Sequence, residues 1–186
     1  TSNTNLQLQI GKTSSKGNYP FSSNDKTKIR SNNDYKQQFI SGLYQRHNHN
    51  NRIYKANVLF VDHDRGVAGG LSYPSPNARR KNNLIVTGLE FIQIMKNGHL
   101  RLEVNQRSSD EDFNNVDIGI DSHHKVNSRG IRVHGLFQPT HKIKMNGFST
   151  AKFQSIESSD IGKRERAIIA IGLQTFFQPI DFVSVK

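Results

Sequence analysis

The chain contains no cysteine among its 186 residues. Disulfide bonds, thiolate nucleophiles and cysteine-ligated zinc or iron–sulfur sites are therefore excluded. Long apolar runs are also missing, since no segment approaches the roughly 20 residues that span a bilayer as a helix, and no signal-peptide core follows the N-terminus. These absences predict a soluble intracellular protein, with a reducing cytosol or nucleus as the favoured compartment.

Acidic residues are scarce, with 15 Asp and Glu against 26 Lys and Arg and a formal net charge of +11. Such an excess favours anionic partners. Nucleic acid is the first candidate, because neutralising phosphates releases counterions and supplies most nonspecific affinity. An anionic membrane surface is the alternative partner. The chain length fits a single domain.

The first part of the chain is poor in apolar side chains. Residues 1–52 hold eleven of them, beside eight Lys and Arg and two acids. So little apolar surface does not offset the conformational entropy lost on ordering the backbone, about 1 to 2 kcal/mol per residue. We therefore predict a flexible basic arm over residues 1–52 and a folded domain over residues 53–186. Residues 35–44 carry apolar side chains at helical spacing, so they form either a short amphipathic helix or linker.

Beyond the arm, short apolar runs alternate with polar residues and are separated by turn residues, which is typical of antiparallel β structure. Asn97-Gly98 and Asn146-Gly147 each predict a hairpin turn. The number and spacing of the strands indicate an all-β, mainly antiparallel domain of the β-sandwich or jelly-roll type.

Three segments of this domain have less regular patterns. Residues 107–115 are expected to be an acidic loop. Either residues 158–160 cap a helix that runs to residue 177, or residues 167–173 form a strand that is buried on both faces. Residues 180–185 are expected to be a closing strand.

A possible metal site is suggested by two short motifs. His47 and His49 precede the triplet Asp62-His63-Asp64 by one predicted strand, and imidazole with carboxylate is a normal ligand set for a divalent cation. The alternative is a solvated hinge followed by a strand-end turn. A second candidate cation site, for Ca²⁺, is the only acidic cluster, which consists of Asp110, Glu111, Asp112, Asp117 and Asp121. Its alternative is a solvated loop.

Signatures of covalent or nucleotide-dependent catalysis are missing. There is no Gly-x-Ser-x-Gly elbow, and the Gly-rich segment 66–70 lacks the Gly-Lys-Ser/Thr of a P-loop. We therefore predict no catalytic residue and no cofactor other than a possible divalent cation.

Basic residues recur along the chain and are candidate phosphate contacts. Some lie in the arm and others in two short clusters of the body. The candidates are Lys12, Lys16, Lys26, Lys28, Arg30, Arg79, Arg80, Lys81, Lys163, Arg164 and Arg166. The alternative is an ordinary solvated surface.

The layout of a basic arm on a strand-rich, cysteine-free body resembles the coat proteins of small icosahedral RNA viruses, in which the arm faces the genome and a jelly roll forms the shell. The eight residues 58–65, a hydrophobic strand followed by Asp, are also similar to a signature of the 30K-type plant-virus movement proteins. These resemblances imply a location in the virion or in the host cytoplasm or nucleus.

Three hypotheses follow from the sequence. The leading one is a viral coat-type structural protein that binds RNA or single-stranded DNA nonspecifically and forms homo-oligomers. The second is a metal-dependent phosphodiesterase or nuclease that uses the His/Asp cluster. The third is a movement- or matrix-type protein that binds nucleic acid or an anionic membrane.

Overall fold

The computed structural model describes residues 2–23, 26–70 and 74–177. Its regular elements are all β-strands, so the predicted all-β, mainly antiparallel fold is confirmed. The strands are β1 (Asn3–Ser15), β2 (Tyr19–Ser23), β3 (Lys26–Arg30), β4 (Tyr35–Asn48), β5 (Arg52–Gly66), β6 (Arg79–Met95), β7 (Gly98–Asn115), β8 (Ile120–Thr140), β9 (Ile143–Ser158) and β10 (Gly162–Phe177).

Eight of these strands form one antiparallel sheet in the order β1-β4-β5-β6-β7-β8-β9-β10, and β2 pairs with β3 in a separate hairpin. Neighbours in the large sheet are therefore neighbours along the chain, apart from the hairpin inserted between β1 and β4. This meander differs from the strand order of a jelly roll, whose Greek-key crossings do not occur among the described strands.

The predicted disordered arm over residues 1–52 is wrong. β1 pairs with β4 along its whole length, and β4 pairs with β5, so both strands belong to the same sheet as the rest of the chain. The apolar residues of β1 are few, but Leu6, Leu8 and Ile10 alternate and share one face of the strand. A count of apolar residues takes no account of their order along the chain. In this segment the alternation of apolar and polar side chains is the feature that predicts a strand.

The helix expected within residues 35–44 is also absent, because these residues lie in β4. The acidic loop expected over residues 107–115 is the second half of β7. Of the two alternatives for residues 158–177, the strand is the one observed, and it forms β10. The predicted burial on both faces is wrong, because nearly all residues of β10 are exposed. The predicted closing strand over residues 180–185 lies outside the described residues.

The two predicted hairpin turns have different outcomes. The hairpin at Asn97-Gly98 is confirmed, since Met95 pairs with Gly98 and the chain reverses between them. The turn predicted at Asn146-Gly147 is wrong, because both residues lie inside β9 and β8 connects to β9 through residues 141–142. An Asn-Gly pair does not always form a turn. Inside a strand, a glycine allows close approach of a neighbouring backbone.

The two faces of the sheet differ in composition. On one face a single row of side chains crosses all eight strands, and every member of this row is apolar. The row consists of Leu6, Tyr44, Ala56, Leu89, Val104, Ile131, Ala151 and Ile169. We name this side the apolar face and the opposite side, which presents Lys55, Glu90, Glu103 and Arg132, the polar face.

One end of the apolar face is charged. A row there carries charges of both signs across the sheet, and we name it the charged border row. Its ionisable members are Lys12, Asp62, Asp110, Lys125, Glu157 and Lys163. Opposite charges on facing strands favour this register over one shifted by a residue, which would move every side chain to the other face.

Glycines near both edges of the sheet are covered by aromatic rings. An added Cβ on Gly11 of β1 would lie 2.1 Å from Cε1 of Phe39, and one on Gly172 of β10 would lie 2.3 Å from Cε1 of Phe148. Each ring occupies the space that a side chain on its partner would fill, which compensates for weak glycine pairing at an edge.

The β2–β3 hairpin lies against the loop residues 67–70 and 74–78. Asn32 has a left-handed φ of 56° and follows β3. Its Nδ2 donates hydrogen bonds to the backbone oxygens of Ser75 (2.6 Å) and Ala78 (2.7 Å), and Arg30 donates to the backbone oxygen of Gly69. These contacts hold the loop over the end of the sheet.

Candidate nucleic-acid interface

Two of the predicted phosphate contacts are already neutralised within the protein. Arg79 lies 3.1 Å from Asp34 and 2.9 Å from Asp64. Hydrogen bonds to both carboxylates raise the pKa of Arg79, and the bond from Arg79 lowers the pKa of Asp34. Arg80 pairs with Glu111 on the polar face. Arg79 and Arg80 therefore stabilise the sheet internally.

The second predicted basic cluster divides between the two faces, because neighbouring residues of a strand point in opposite directions. Lys163 lies on the apolar face and pairs with Glu165 at 2.8 Å; this hydrogen bond raises the pKa of Lys163. Arg164 and Arg166 lie on the polar face. Arg166 donates to the neutral side-chain oxygen of Gln154 at 2.7 Å, so its charge is not offset by that contact.

Four cations gather on the polar face of β7, β9 and β10, and we name them the cationic patch: Arg107, Lys152, Arg164 and Arg166. No Asp or Glu is paired with any of them among the residues that the structure describes. Register places Arg107 in one row with Arg166, three strands away and therefore about 14 Å distant. Lys152 lies in the adjacent row, and Arg164 is two residues from Arg166.

On β8, β9 and β10 the surroundings of the cationic patch carry a single sign of charge, whereas on β7 Glu103 and Glu111 share the polar face with Arg107. Over residues 120–177 the polar-face positions of β8, β9 and β10 hold no carboxylate, because Glu157 and Glu165 lie on the apolar face. Arg107, Arg164 and Arg166 are exposed, while Lys152 is half-buried. A shallow cavity of about 310 Å³ borders Arg164, Arg166 and Gln154, and Glu165 also lines it. The patch can hold a polyanion without displacing an internal ion pair.

Sequence reasoning missed two members of the cationic patch. Arg107 was assigned to an acidic loop, and Lys152 was not singled out. The signal that could have found them is the alternation of β7 and β9, which places them on the same side as Arg164 and Arg166 once the strands are paired. That pairing comes from the sheet and is not visible in any local motif.

The predicted arm contacts lie elsewhere. Lys12 belongs to the charged border row, and Lys16 follows β1. Lys26 and Lys28 are exposed on the β2–β3 hairpin, where Arg30 is engaged with Gly69. Lys81, the last of the predicted contacts, is exposed on the apolar face between Asp64 and Asp112. The structure therefore does not gather the predicted cations into one surface.

The five predicted metal ligands are not brought together. His47 pairs with Ile53 near one end of β5, whereas Asp62, His63 and Asp64 lie near the other. Nine residues of extended strand separate Ile53 from Asp62, which is about 30 Å. His49 lies in the turn beyond His47, and Asp64 pairs with Arg79. The prediction of one metal site from this set is wrong.

The acidic cluster is also divided by the sheet. Glu111 pairs with Arg80 on the polar face, and Asp117 accepts hydrogen bonds from Asn77. Asp110 and Asp112 lie on the apolar face beside His123, whose Nδ1 is 2.6 Å from Oδ1 of Asp112 and 3.5 Å from Oδ1 of Asp110.

His123, Asp110 and Asp112 could offer ligand atoms to one cation, since these atoms lie within 4.8 Å of one another. The hydrogen bond to Asp112 raises the pKa of His123, and the two aspartates add to this effect. A protonated imidazole is a hydrogen-bond donor and not a metal ligand. When the imidazole is protonated, the three side chains form an ion pair.

The middle of the polar face holds an ion-pair network. Glu90 lies 2.9 Å from Lys55 and 2.6 Å from Arg101, and Arg101 also lies 2.6 Å from Glu103. Burial opposes ionisation of Glu90, but the donors of Lys55 and Arg101 outweigh it and lower the pKa of the carboxyl group. This network joins β5, β6 and β7. It lies between the cationic patch and the end of the sheet at which residues 96–97 turn.

Comparison with known proteins adds no relative. No protein-family model matches the sequence, and a search of curated proteins finds no significant match. Within the described part of the chain, no helix is both long and apolar enough to cross a bilayer. Any function must therefore be argued from the geometry itself.

Proposed function

We propose that this chain is a structural protein that binds RNA or single-stranded DNA nonspecifically through the cationic patch. The observation that carries this proposal is a group of four cations without a carboxylate partner among the described residues. Three of them lie on the carboxylate-free polar face of β9 and β10, and Arg107 lies on β7. A net charge of +11 adds a long-range attraction for any polyanion.

The mode of binding follows from the side chains of the cationic patch. Arg and Lys contact phosphate oxygens, which position a nucleic acid but carry no sequence information. The four residues of the patch include no aromatic side chain that could stack on a base, as sequence-tolerant single-strand binders often use. Recognition is therefore of the backbone, and affinity depends on salt.

The size of the salt effect can be worked out. Four phosphates neutralised on a single strand predict a slope of log Kobs against log salt of about −2.8, at about −0.7 per phosphate. The triple variant K152Q/R164Q/R166Q leaves one cation of the patch, so its slope should be about −0.7. Affinity for an arbitrary short RNA at low salt should fall by about tenfold or more.

A matched control removes the same charge from the other face. Lys12, Lys36 and Lys81 are exposed on the charged end of the apolar face, so K12Q/K36Q/K81Q lowers the net charge equally. Its salt slope should equal that of the unmodified chain. Fluorescence anisotropy with an RNA and a DNA of the same arbitrary sequence measures both variants.

Three results would overturn this assignment. Equal losses in both triple variants would show that net charge alone drives binding. Unchanged binding with increased aggregation in K152Q/R164Q/R166Q would show that these cations only protect the edge strand β10. Binding to anionic vesicles without binding to RNA or DNA would identify a membrane surface as the partner.

A further inference from the structure

The apolar face is uncovered along its whole width. Leu89 is 62 % exposed, Val104 44 %, Ile131 46 % and Ile169 75 %. These residues belong to the single apolar row that crosses the sheet and are not isolated surface side chains. Contiguous exposed apolar patches larger than a few hundred Å² mark interaction surfaces in proteins.

The total surface area of the chain also indicates an uncovered apolar surface. A folded monomer of 21.1 kDa is expected to expose about 9,000 Å², whereas this chain exposes 13,555 Å². Among the described residues, the only buried apolar side chains are Ala68 and Ala78. The sheet therefore lacks the second layer that domains use to bury an apolar face.

The area of the apolar face is close to the area that one partner buries in a protein–protein interface. Seven strand spacings span about 34 Å across the sheet, and the apolar rows extend about 20 Å along the strands. The resulting area of roughly 700 Å² is close to the roughly 800 Å² per partner of a standard interface.

We propose that a second copy of this chain covers the apolar face, so that two sheets pack face to face as a two-layer β-sandwich. Aligned sheets pack about 10 Å apart with their inner side chains interdigitated. This arrangement gives each copy the layer that it lacks.

A small apolar ligand would cover the apolar face less completely than a second copy of the chain. The groove over Val104, Ile131 and Ala151 has a volume of about 690 Å³, which would fit a ligand of ordinary size. Such a ligand would leave Leu6 at one edge of the sheet and Ile171 at the other exposed, at 74 % and 80 %. Only an extended partner covers all eight strands.

The charged border row also favours self-association. A two-fold interface brings the same surface of both subunits together. A row of one sign would repel its own copy, whereas the charged border row provides three cations and three carboxylates on each subunit. The cationic patch lies on the opposite face and remains outside in such a dimer, so this inference does not rest on the proposed nucleic-acid binding.

The first test uses a charge pair at the centre of the apolar face. Val104 and Ile131 are directly opposite each other, so V104E/I131K introduces two charges that can pair within one subunit. The control Q9E/S41K makes the same exchange at a cross-strand pair on the polar face. Sedimentation equilibrium should give twice the 21.1 kDa chain mass for the unmodified chain and the control. V104E/I131K should raise the dimer Kd by about 100-fold or more.

A second measurement keeps the test decisive if V104E/I131K does not fold. The chain has no cysteine, so Ala151→Cys on the apolar face and Ala170→Cys on the polar face each carry a single thiol. Ala151→Cys should react slowly with a maleimide at high protein concentration and rapidly after dilution, while Ala170→Cys reacts rapidly throughout.

The proposal is overturned by any of three outcomes. One is a monomer at all concentrations. Another is a reaction rate of Ala151→Cys that does not depend on concentration. The third is a native mass spectrum in which monomers carry a bound small molecule. Each outcome leaves the RNA-binding result of K152Q/R164Q/R166Q interpretable, because that variant alters the other face.

Discussion

Replacing Glu90 with glutamine removes the negative charge at the centre of the polar-face network and keeps the shape of the side chain. The Glu90 side chain is only 15 % exposed, and Lys55 and Arg101 lie within 3 Å of its carboxylate oxygens. In E90Q Lys55 loses this counterion, and Arg101 keeps Glu103 at 2.6 Å. A hydrogen bond to a charged group contributes about 1.5 to 3 kcal/mol.

The stabilising free energy lost with each interaction should lie near the lower end of this range. The reason is that Lys55 is 34 % and Arg101 is 41 % exposed, so water screens both charges. Their release to solvent recovers part of the energy. We expect E90Q to lower the free energy of unfolding by about 2 kcal/mol. For a chain of this size, the corresponding fall in Tm is about 4 to 8 °C.

The effect should depend on pH in one direction. Because the pKa of Glu90 is lower in the folded state than its ordinary value of 4.5, its stabilisation is fully present above that value and is lost as the pH falls through the folded pKa. The difference in stability between the unmodified chain and E90Q should therefore be constant near neutral pH. It should shrink in acid.

Urea unfolding followed by circular dichroism at neutral and acidic pH measures both quantities, at one fixed protein concentration. The control is Glu165→Gln, which removes a carboxylate from an exposed pair in which Glu165 is 46 % and Lys163 is 66 % exposed. Exposed pairs contribute little, so this control should change stability by less than about 0.5 kcal/mol. The reasoning is refuted if E90Q is as stable as the unmodified chain at neutral pH, or if its loss is as large in acid.

Two further predictions concern packing. Gly172→Val should destabilise the chain by about 1 to 3 kcal/mol, because its Cβ would fall 2.3 Å from Phe148 and displace the ring. Gly70→Ala, where nothing lies within 4 Å of the added atom, is the control for thermal denaturation, and equal losses would contradict the ring-over-glycine contact. Asn32→Ala should remove the donor that holds residues 67–78 and speed amide exchange there while leaving β7 protected, as hydrogen-exchange mass spectrometry can show. Unchanged exchange in residues 67–78 would contradict that role.

The class of fold was readable from local pattern. Alternation of apolar and polar residues and the turn after Met95 predict antiparallel strands from neighbouring residues alone. The same principle, applied to Leu6, Leu8 and Ile10, would have identified β1. It was outweighed by a composition argument that treats a few apolar residues as too few for a fold. A strand at the edge of a sheet needs only one apolar face, so this argument does not apply to it.

The candidate site could be read only in part. The sequence shows the excess of Lys and Arg, and Arg164 and Arg166 were among the predicted contacts. It does not show which cations are already neutralised. Arg79 reaches Asp34, which is 45 residues away along the chain, and such a pairing depends on the register between strands.

The sequence by itself therefore determined the strand character of this chain, its surplus of positive charge and the absence of cysteine chemistry, because each is a local or summed property. The tertiary structure decided which charges remain unpaired, which side chains share a face and which surface is left uncovered. These are properties of strand pairing, in which residues far apart in the chain become neighbours and a shift of one residue would exchange the two faces.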